Sequence, residues 1–464
     1  MKRIILLLSF CVAILFNTKA NAQWANVGST FLSTNSARAT NIVTNEFGTF
    51  TAFIENNKAN VKKFNGTNWE SVGAADFSTP NTQFLSLAVD GTTPYVTFRD
   101  NSFSGKISVM KFDGVNWVFV GTPGFSTGSV QYSKIRISNN IPYVAFQNGA
   151  TGKASVMRFT GTAWEFVGNP QIGSVSIWNL QFEFNNNTPY LSFREFNAGV
   201  NKLNVIKLVE TDWVYEGNSV ANLQNNSDGS SPSVKSSLAF EPVTNIPFIS
   251  YIIQNPSASD NIVVTKKLTG TTWSAVGNPI NNVFNSIDDA VKLVFYNNQP
   301  TAAFTAYNAG LPDAKISVST FNGTNWVYLD GNVFASVGSI GTENFPLDTH
   351  LDLYPYNNEL YLSYAEDVPE NGKIRIRKFT PVPLSIADNN FVAPSILVYP
   401  NPSSGLFTID KGLSNNVWVI YNNLGQLVLN GNGNLVNLSS FPNGEYFLKI
   451  NANGILHTKK LLKN

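Results

Sequence analysis

Trp69-Glu70-Ser71-Val72-Gly73 is one copy of a phrase, W-x-x-V-G, that returns along this chain. It stands also at Trp24 to Gly28, Trp117 to Gly121, Trp164 to Gly168 and Trp273 to Gly277, with looser copies at Trp213 to Gly217 and Trp326 to Gly331. The intervals between these tryptophans are 45, 48, 47, 49, 60 and 53 residues, and seven of the nine tryptophans occupy this one position. A period of that length is the mark of a repeat architecture, in which each unit buries its apolar face against the next.

The residues between the tryptophans repeat as well. An alternating strand such as Leu85 to Val89 or Lys134 to Ile137 leads into a turn of Asn, Asp and Gly, as at Asp90-Gly91 or Asn139-Asn140. A second strand follows in the phrases Pro94 to Phe98, Pro142 to Phe146, Pro189 to Phe193 and Pro247 to Tyr251. A third strand, for example Lys106 to Phe112 or Lys373 to Phe379, ends at a turn such as Asn65-Gly66 or Asp113-Gly114 and reverses into the tryptophan strand. Asn-Gly and Asp-Gly are strong hairpin signals because these residues tolerate positive φ. Four alternating strands per repeat predict a β-propeller blade.

Counting predicts how the ring closes. The second-strand phrase occurs seven times, from Phe50–Phe53 to Leu360–Tyr364; the last repeat lacks a tryptophan strand and Trp24 has no repeat before it. The expectation is a seven-bladed β-propeller over residues 23–380, in which the strand of Trp24 completes the seventh blade by strand-sharing ring closure and removes open sheet edges. Counts of six and eight blades stay open at this point. The arrangement resembles the WD-repeat propellers, although their Trp-Asp and Gly-His signatures are absent. The Gly-x-x-Trp turn is also similar to a reduced Asp-box of sialidase-type propellers without its Ser and Asp. Repeated Trp, Tyr and Phe read as packing between blades rather than as a ligand platform.

Composition agrees with an all-β fold. The 464 residues are 43% hydrophobic and 13% aromatic but only 13% charged, about half the usual charged share of roughly 25%. That balance suits pleated sheets better than solvated helices. A formal net charge of +1 excludes an electrostatic nucleic-acid binder. Residues 1–22 read as a secretory signal peptide: Met1-Lys2-Arg3, an apolar run from Ile4 to Phe16, then Ala20-Asn21-Ala22, with cleavage expected after Ala22. The run is too short for a stable membrane span, which needs about 20 apolar residues. The only cysteine, Cys11, leaves with it, so the mature chain is expected to have no disulfide and no thiol chemistry.

After Phe379 the repeat stops. Residues 381–394 read as a linker, and residues 395–464 as a small all-β module with the features Pro400-Asn401-Pro402, Gly405, Asn422 to Gly425, Pro442-Asn443-Gly444-Glu445-Tyr446 and a basic last strand containing Lys459. In the order and spacing of these motifs the module resembles the type A C-terminal sorting domain of the type IX secretion system. The resemblance implies a small Ig-like β-sandwich, a Gram-negative, Bacteroidota-type source, recognition by the outer-membrane translocon, and secretion or display on the outer cell surface. It assigns Pro400, Asn401, Pro402, Gly405, Gly425, Gly444, Tyr446 and Lys459 to the sorting signal.

Chemistry is sparse. The histidines are His350 and His457, too few for a two-histidine zinc site within the propeller and leaving only His350 for a triad. No calcium loop, P-loop or Gly-x-Ser-x-Gly occurs, so no catalytic residue, metal or cofactor is expected. Loops at one face of a propeller carry function, and the sequence places there Arg38, Arg99, Asp100, Arg194, Glu195, Asp288, Asp289, Glu366 and Asp367. Of these Arg99, Asp100, Arg194 and Glu366 are the candidate binding residues. The expected function is binding or adhesion to carbohydrate or another surface macromolecule, helped by polar loops such as 222–233 and 332–346. A sialidase-like glycosidase, which would need converging arginines with a Tyr or paired carboxylates, and a structural surface protein are the alternatives.

Overall fold

In the computed structural model, residues 23–28, 31–197, 200–223, 235–254, 261–283, 291–306, 315–329, 351–366, 372–381, 396–410, 417–423, 425–452 and 455–464 are described. The expected signal peptide with Ala22, and the 381–394 linker beyond residue 381, lie outside them. The chain divides into two units, Met1–Val382 and Pro383–Asn464. Both are built of β-strands, and the helical content among the described residues is a single 3-10 turn at Asn101–Phe103.

In the first unit the strand alternation and turn chemistry produce antiparallel four-strand sheets. One runs Ala37–Asn45, Gly48–Glu55, Lys58–Phe64, Trp69–Ser71 in that order. The turns behave as their residues dictate. Asn139-Asn140, Asn186-Asn187, Asn297-Asn298 and Asn357-Asn358 all have positive φ at both positions, the backbone of a tight hairpin whose twist matches its strands. Before Trp69, the Asn65 side-chain oxygen accepts the N–H groups of Thr67 and Asn68 at 2.9 and 2.8 Å.

The same plan starts again from the first strands Gln83–Asp90, Val130–Ser138, Ile177–Asn185, Ser236–Phe240, Val291–Tyr296 and Leu351–Tyr356. Each of these first strands packs against the next, and Leu351–Tyr356 packs against Ala37–Asn45. Across that last junction the Ile42 N–H donates to Asp352 Oδ2 at 3.0 Å. The final three strands are joined by Gln23–Asn26, whose Trp24 pairs with Phe379. One feature was not legible in the sequence: the short strand Ile280–Val283 bridges two neighbouring repeats into one nine-stranded sheet.

The W-x-x-V-G phrase is the fastening between repeats. Trp69 Nε1 donates to the Val27 carbonyl at 2.6 Å, Trp117 to Val72 at 2.7 Å, Trp164 to Val120 at 2.7 Å, Trp213 to Val167 at 2.9 Å, and Trp326 to Val276 at 2.8 Å. In the loose copy, Glu216 supplies the carbonyl to Trp273 at 3.1 Å. The glycine after the valine makes room for the next ring. Gly73 has φ +70, and a Cβ there would meet Phe112 at 2.8 Å and Trp117 at 3.2 Å. The tryptophan also packs on a third-strand phenylalanine, as in Phe64–Trp69 at 5.3 Å, or stands opposite a leucine there, Leu208 for Trp213 and Leu268 for Trp273; the pair Trp24–Phe379, at 5.4 Å, has the same geometry.

The second unit has two sheets. Val398–Tyr399, Leu406–Ile409 and Leu435–Asn437 form one; Leu427–Asn432, Val417–Asn422, Gly444–Ala452 and Ile455–Lys463 form the other, in those orders. Phe407, Ile409, Trp418, Ile420, Leu448 and Ile450 fill the core.

If the fastening holds the repeats together, Trp117→Phe should keep the ring packing but orphan the Val72 carbonyl, lowering unfolding free energy by about 1–3 kcal/mol. Gly73→Ala should destabilise more than Gly66→Ala, whose Cβ would meet nothing within 4 Å. Urea titration of the three variants checks this, and equal effects at the two glycines would refute the steric account.

Candidate functional site

The first strands of all seven repeats enclose a cavity of about 560 Å³. Their register fixes which residues face it. Asn41, Ser86, Lys134, Gln181, Ser237, Lys292 and Asp352 stand opposite equivalent second-strand residues, and all seven line the cavity. Two residues further along, Val43, Ala88, Arg136, Glu183, Ala239, Val294 and Tyr354 make a second, mainly apolar tier that holds one half-buried ion pair. Among the described residues, four of these strands carry a β-bulge just before the polar tier, with Ala39, Phe84, Tyr132 and Asn179 at φ 53–56°. A bulge bends its strand and re-aims the side chains that follow.

Most of the polar tier is spent on sealing neighbouring repeats. Asn41 donates to the Leu85 carbonyl at 3.2 Å, Ser86 Oγ accepts the Ile135 N–H at 3.3 Å, and Ser237 Oγ accepts the Leu293 N–H at 3.0 Å. Lys292 pairs with Asp352 at 3.1 Å, and Asp352 in turn holds Ile42. Lys134 and Gln181 break the rule: among the described residues neither side chain has a hydrogen bond or ion pair. Their junction is closed one tier along, where Arg136 grips Glu183 with Nε–Oε2 at 2.8 Å and a second bond from Nη2 to Oε1.

The electrostatics follow. Burial, together with the positive charges of Arg136, Lys292 and Lys235, lowers the Lys134 ammonium to about 8 against the pull of Asp352. Burial works against the ionised forms of Arg136 and Glu183 too, but their mutual pairing wins: the Glu183 carboxyl is held below its usual range and the Arg136 guanidinium above its own. With Lys134, Arg136, Lys235 and Lys292 against Glu183 and Asp352, the cavity carries an excess of positive charge.

The four sequence candidates lie elsewhere. None lines the cavity. Arg99, Asp100, Arg194 and Glu366 were expected on loops, but the second strands run through them, as Thr93–Asp100, Thr188–Asn197 and Glu359–Glu366. They extend because strand-end carboxylates bind the segment that enters the same repeat. Asp100, fully buried, accepts the Thr79 hydroxyl at 2.6 Å, the Ser102 N–H at 3.1 Å and the Ser108 hydroxyl at 2.9 Å. Glu55 accepts Thr34 and Asn35 N–H groups, and Glu195 the Ser174 N–H at 2.7 Å. Glu366 pairs with Arg375. Arg194 lies over the Trp178 ring at 4.8 Å and donates to Asn201 at 3.3 Å; Arg99 packs over Gly105. The four are therefore spread over three repeats, Arg99 and Arg194 at one strand-end position and Asp100 and Glu366 at the next. Asp288, Asp289, His350 and Asp367 lie outside the described residues.

The polar tier could have been found by aligning the repeats on their first turn. In six of the seven it sits five residues before the turn, from Asn41 before Glu46 to Asp352 before Asn357.

In the second unit the motif residues have structural reasons. Asn401 donates to the Lys460 carbonyl at 2.7 Å and accepts the Leu462 N–H at 2.8 Å, latching the Pro-Asn-Pro segment to the last strand. At Gly405, φ +133, a Cβ would lie 2.7 Å from Ser439 Cα. Asn422 Oδ1 accepts the Gln426 N–H at 2.9 Å across the turn that holds Gly425, and Tyr446 donates its hydroxyl to the Pro442 carbonyl at 2.7 Å. Residues 397–464 match the secretion system C-terminal sorting domain. The match falls inside the expected 395–464 module, whose last strand, Ile455–Lys463, carries Lys459. The domain implies export followed by secretion or surface attachment. No helix among the described residues is long and apolar enough to cross a membrane.

Ahead of the sorting domain, the chain is similar to solved β-structures. A protein named AofleA from Arthrobotrys oligospora shares 13% identity at a TM-score of 0.41, over 66% of this chain and 88% of its own. The six-bladed β-propeller fucose lectin of Aleuria aurantia shares 14% at 0.39, over 65% and 96%. The Hadza microbial sialidase Hz136 shares 12% at 0.39, over 58% and 63%. These scores transfer neither a blade count nor an activity. No curated protein matches the chain.

Because the Lys134 ammonium is lowered to about 8, the folded chain gives up this proton before the unfolded chain does. Its desolvation weighs against the fold at pH 7, and stability gains as pH rises from about 8 to the unfolded-state value of ~10.4. Lys134→Met should therefore raise unfolding free energy at pH 7 by about 1–3 kcal/mol, an advantage that fades by pH 10.5. Urea titration across pH checks it; a pH-independent difference would remove Lys134 from the account.

Proposed function

We propose that the chain is exported by the type IX route and acts outside the cell as a seven-bladed β-propeller that binds carbohydrate or another surface macromolecule. The export half is carried by the sorting domain at residues 397–464. The seven-bladed closure is supported by the cyclic packing of the seven first strands and by the seating of Trp24 on Phe379, the place taken by Trp69 on Phe64 in another repeat. The binding half is supported by the polar tier around a cavity of about 560 Å³, within the roughly 300–1,000 Å³ of small-ligand sites. The outer-membrane translocon is the partner of the sorting domain in this reading, and the signal at residues 1–22 is its route to the periplasm.

Removing residues 397–464 should leave the protein in the periplasm of a type IX-competent host, and unchanged extracellular delivery would overturn the export reading. A broad glycan array probed with the mature chain should show retained glycans. Absence of binding to the array, to cell envelopes and to surface polymers leaves a structural surface role, whereas cleavage of a bound glycan would point to a glycosidase.

A further inference from the structure

The polar tier has one register position in each repeat, and at five of them the side chain is tied into the neighbouring repeat. The two that are not tied, Lys134 and Gln181, lie on adjacent strands that pack together, at the same height in the cavity wall. Their junction does not need them, because Arg136 and Glu183 close it one tier along. Lys134 is half-buried in the cavity wall, with no carboxylate of the wall paired to it, which leaves its ammonium open to an anion that enters the cavity.

We propose that Lys134 and Gln181 form the contact pair of a binding site for a sugar-sized, polyhydroxylated carboxylate, an acidic monosaccharide unit. The inference rests on the carbohydrate-binding reading above and names its ligand class. Lys134 provides the charge for the carboxylate, the Gln181 amide provides a donor and an acceptor suited to adjacent hydroxyls, and the excess of cationic groups draws an anion in. The charged groups that act on Lys134 are Arg136 on its own strand, Glu183 on the adjacent strand, and Lys235, Lys292 and Asp352 on the other strands of the wall. Arg136 and Lys292 are committed to Glu183 and Asp352, so neither carboxylate of the wall neutralises Lys134, and a ligand can.

Calorimetric titration of the full mature chain with glucuronate, glucose and inorganic phosphate tests this. The expected result is glucuronate binding at pH 7 at least tenfold tighter than glucose. It should weaken at least fivefold by pH 9.5, as Lys134 (lowered to about 8) loses its proton. Lys134→Met should weaken glucuronate at least tenfold; Lys134→Arg should bind at pH 7 and keep its affinity at pH 9.5; Gln181→Leu should weaken glucuronate at least threefold. Lys134→Met is expected to fold at least as well as the parent chain, so its loss of binding is not a loss of structure. Equal binding of glucose and glucuronate, unaltered binding by Lys134→Met, binding of phosphate alone, or no binding of any probe overturns the inference. Repeating the glycan array with Lys134→Met separates the two levels: glycans retained equally by parent and variant leave the carbohydrate reading standing and remove only the acidic-sugar site.

Discussion

The first unit depends on one contact used again and again, the indole N–H of six of the seven repeated tryptophans reaching back to a backbone carbonyl of the preceding repeat. An antiparallel four-strand sheet buries one face easily, but its outer strand is short, only three residues at Trp69–Ser71, Trp117–Phe119 and Trp164–Phe166. Such a strand has little ladder of its own. The tryptophan compensates with a large ring packed on the third-strand phenylalanine and a polar atom that fixes its depth. The glycine at φ near +70° in the previous repeat removes the side chain that would stand in the way. Valine, glycine and tryptophan therefore recur together because they meet across a junction, not within a repeat.

The same logic of junctions explains the cavity. A polar side chain packed between neighbouring sheets gains by finding a partner there, and in five positions of the tier the neighbouring repeat provides it. The cavity is thus polar for structural reasons over most of its circumference. Lys134 and Gln181 depart from that rule at a junction secured by a different pair, and departures from a repeated structural pattern are where a repeat protein has room for function.

The repeat, its four strands, the tight Asn-Asn turns and the separate C-terminal module were legible in the sequence, because each rests on local chemistry: alternation with period two, positive φ at Asn and Gly, and a spaced tryptophan. The sorting motifs were legible by their order and spacing, although only Tyr446 serves a local contact, to Pro442, while Asn401 and Gly405 meet Leu462 and Ser439 far along the chain. The binding candidates were not. Charge at a strand end looks like a solvated loop in a linear reading, whereas Asp100 and Glu55 turn their oxygens onto backbone and hydroxyl groups some 20 residues earlier.

What the sequence by itself determined is therefore the architecture and the destination: an all-β repeat with low charge, because most of each strand is covered by a neighbour, followed by an export domain. Only the tertiary structure decided which polar residues are structural and which are left over. Asn41, Ser86 and Lys134 hold the same register position and are equally polar, and nothing local separates them. The difference is whether the next repeat presents a backbone group or a charge at the matching height, and that is a property of how the sheets are stacked.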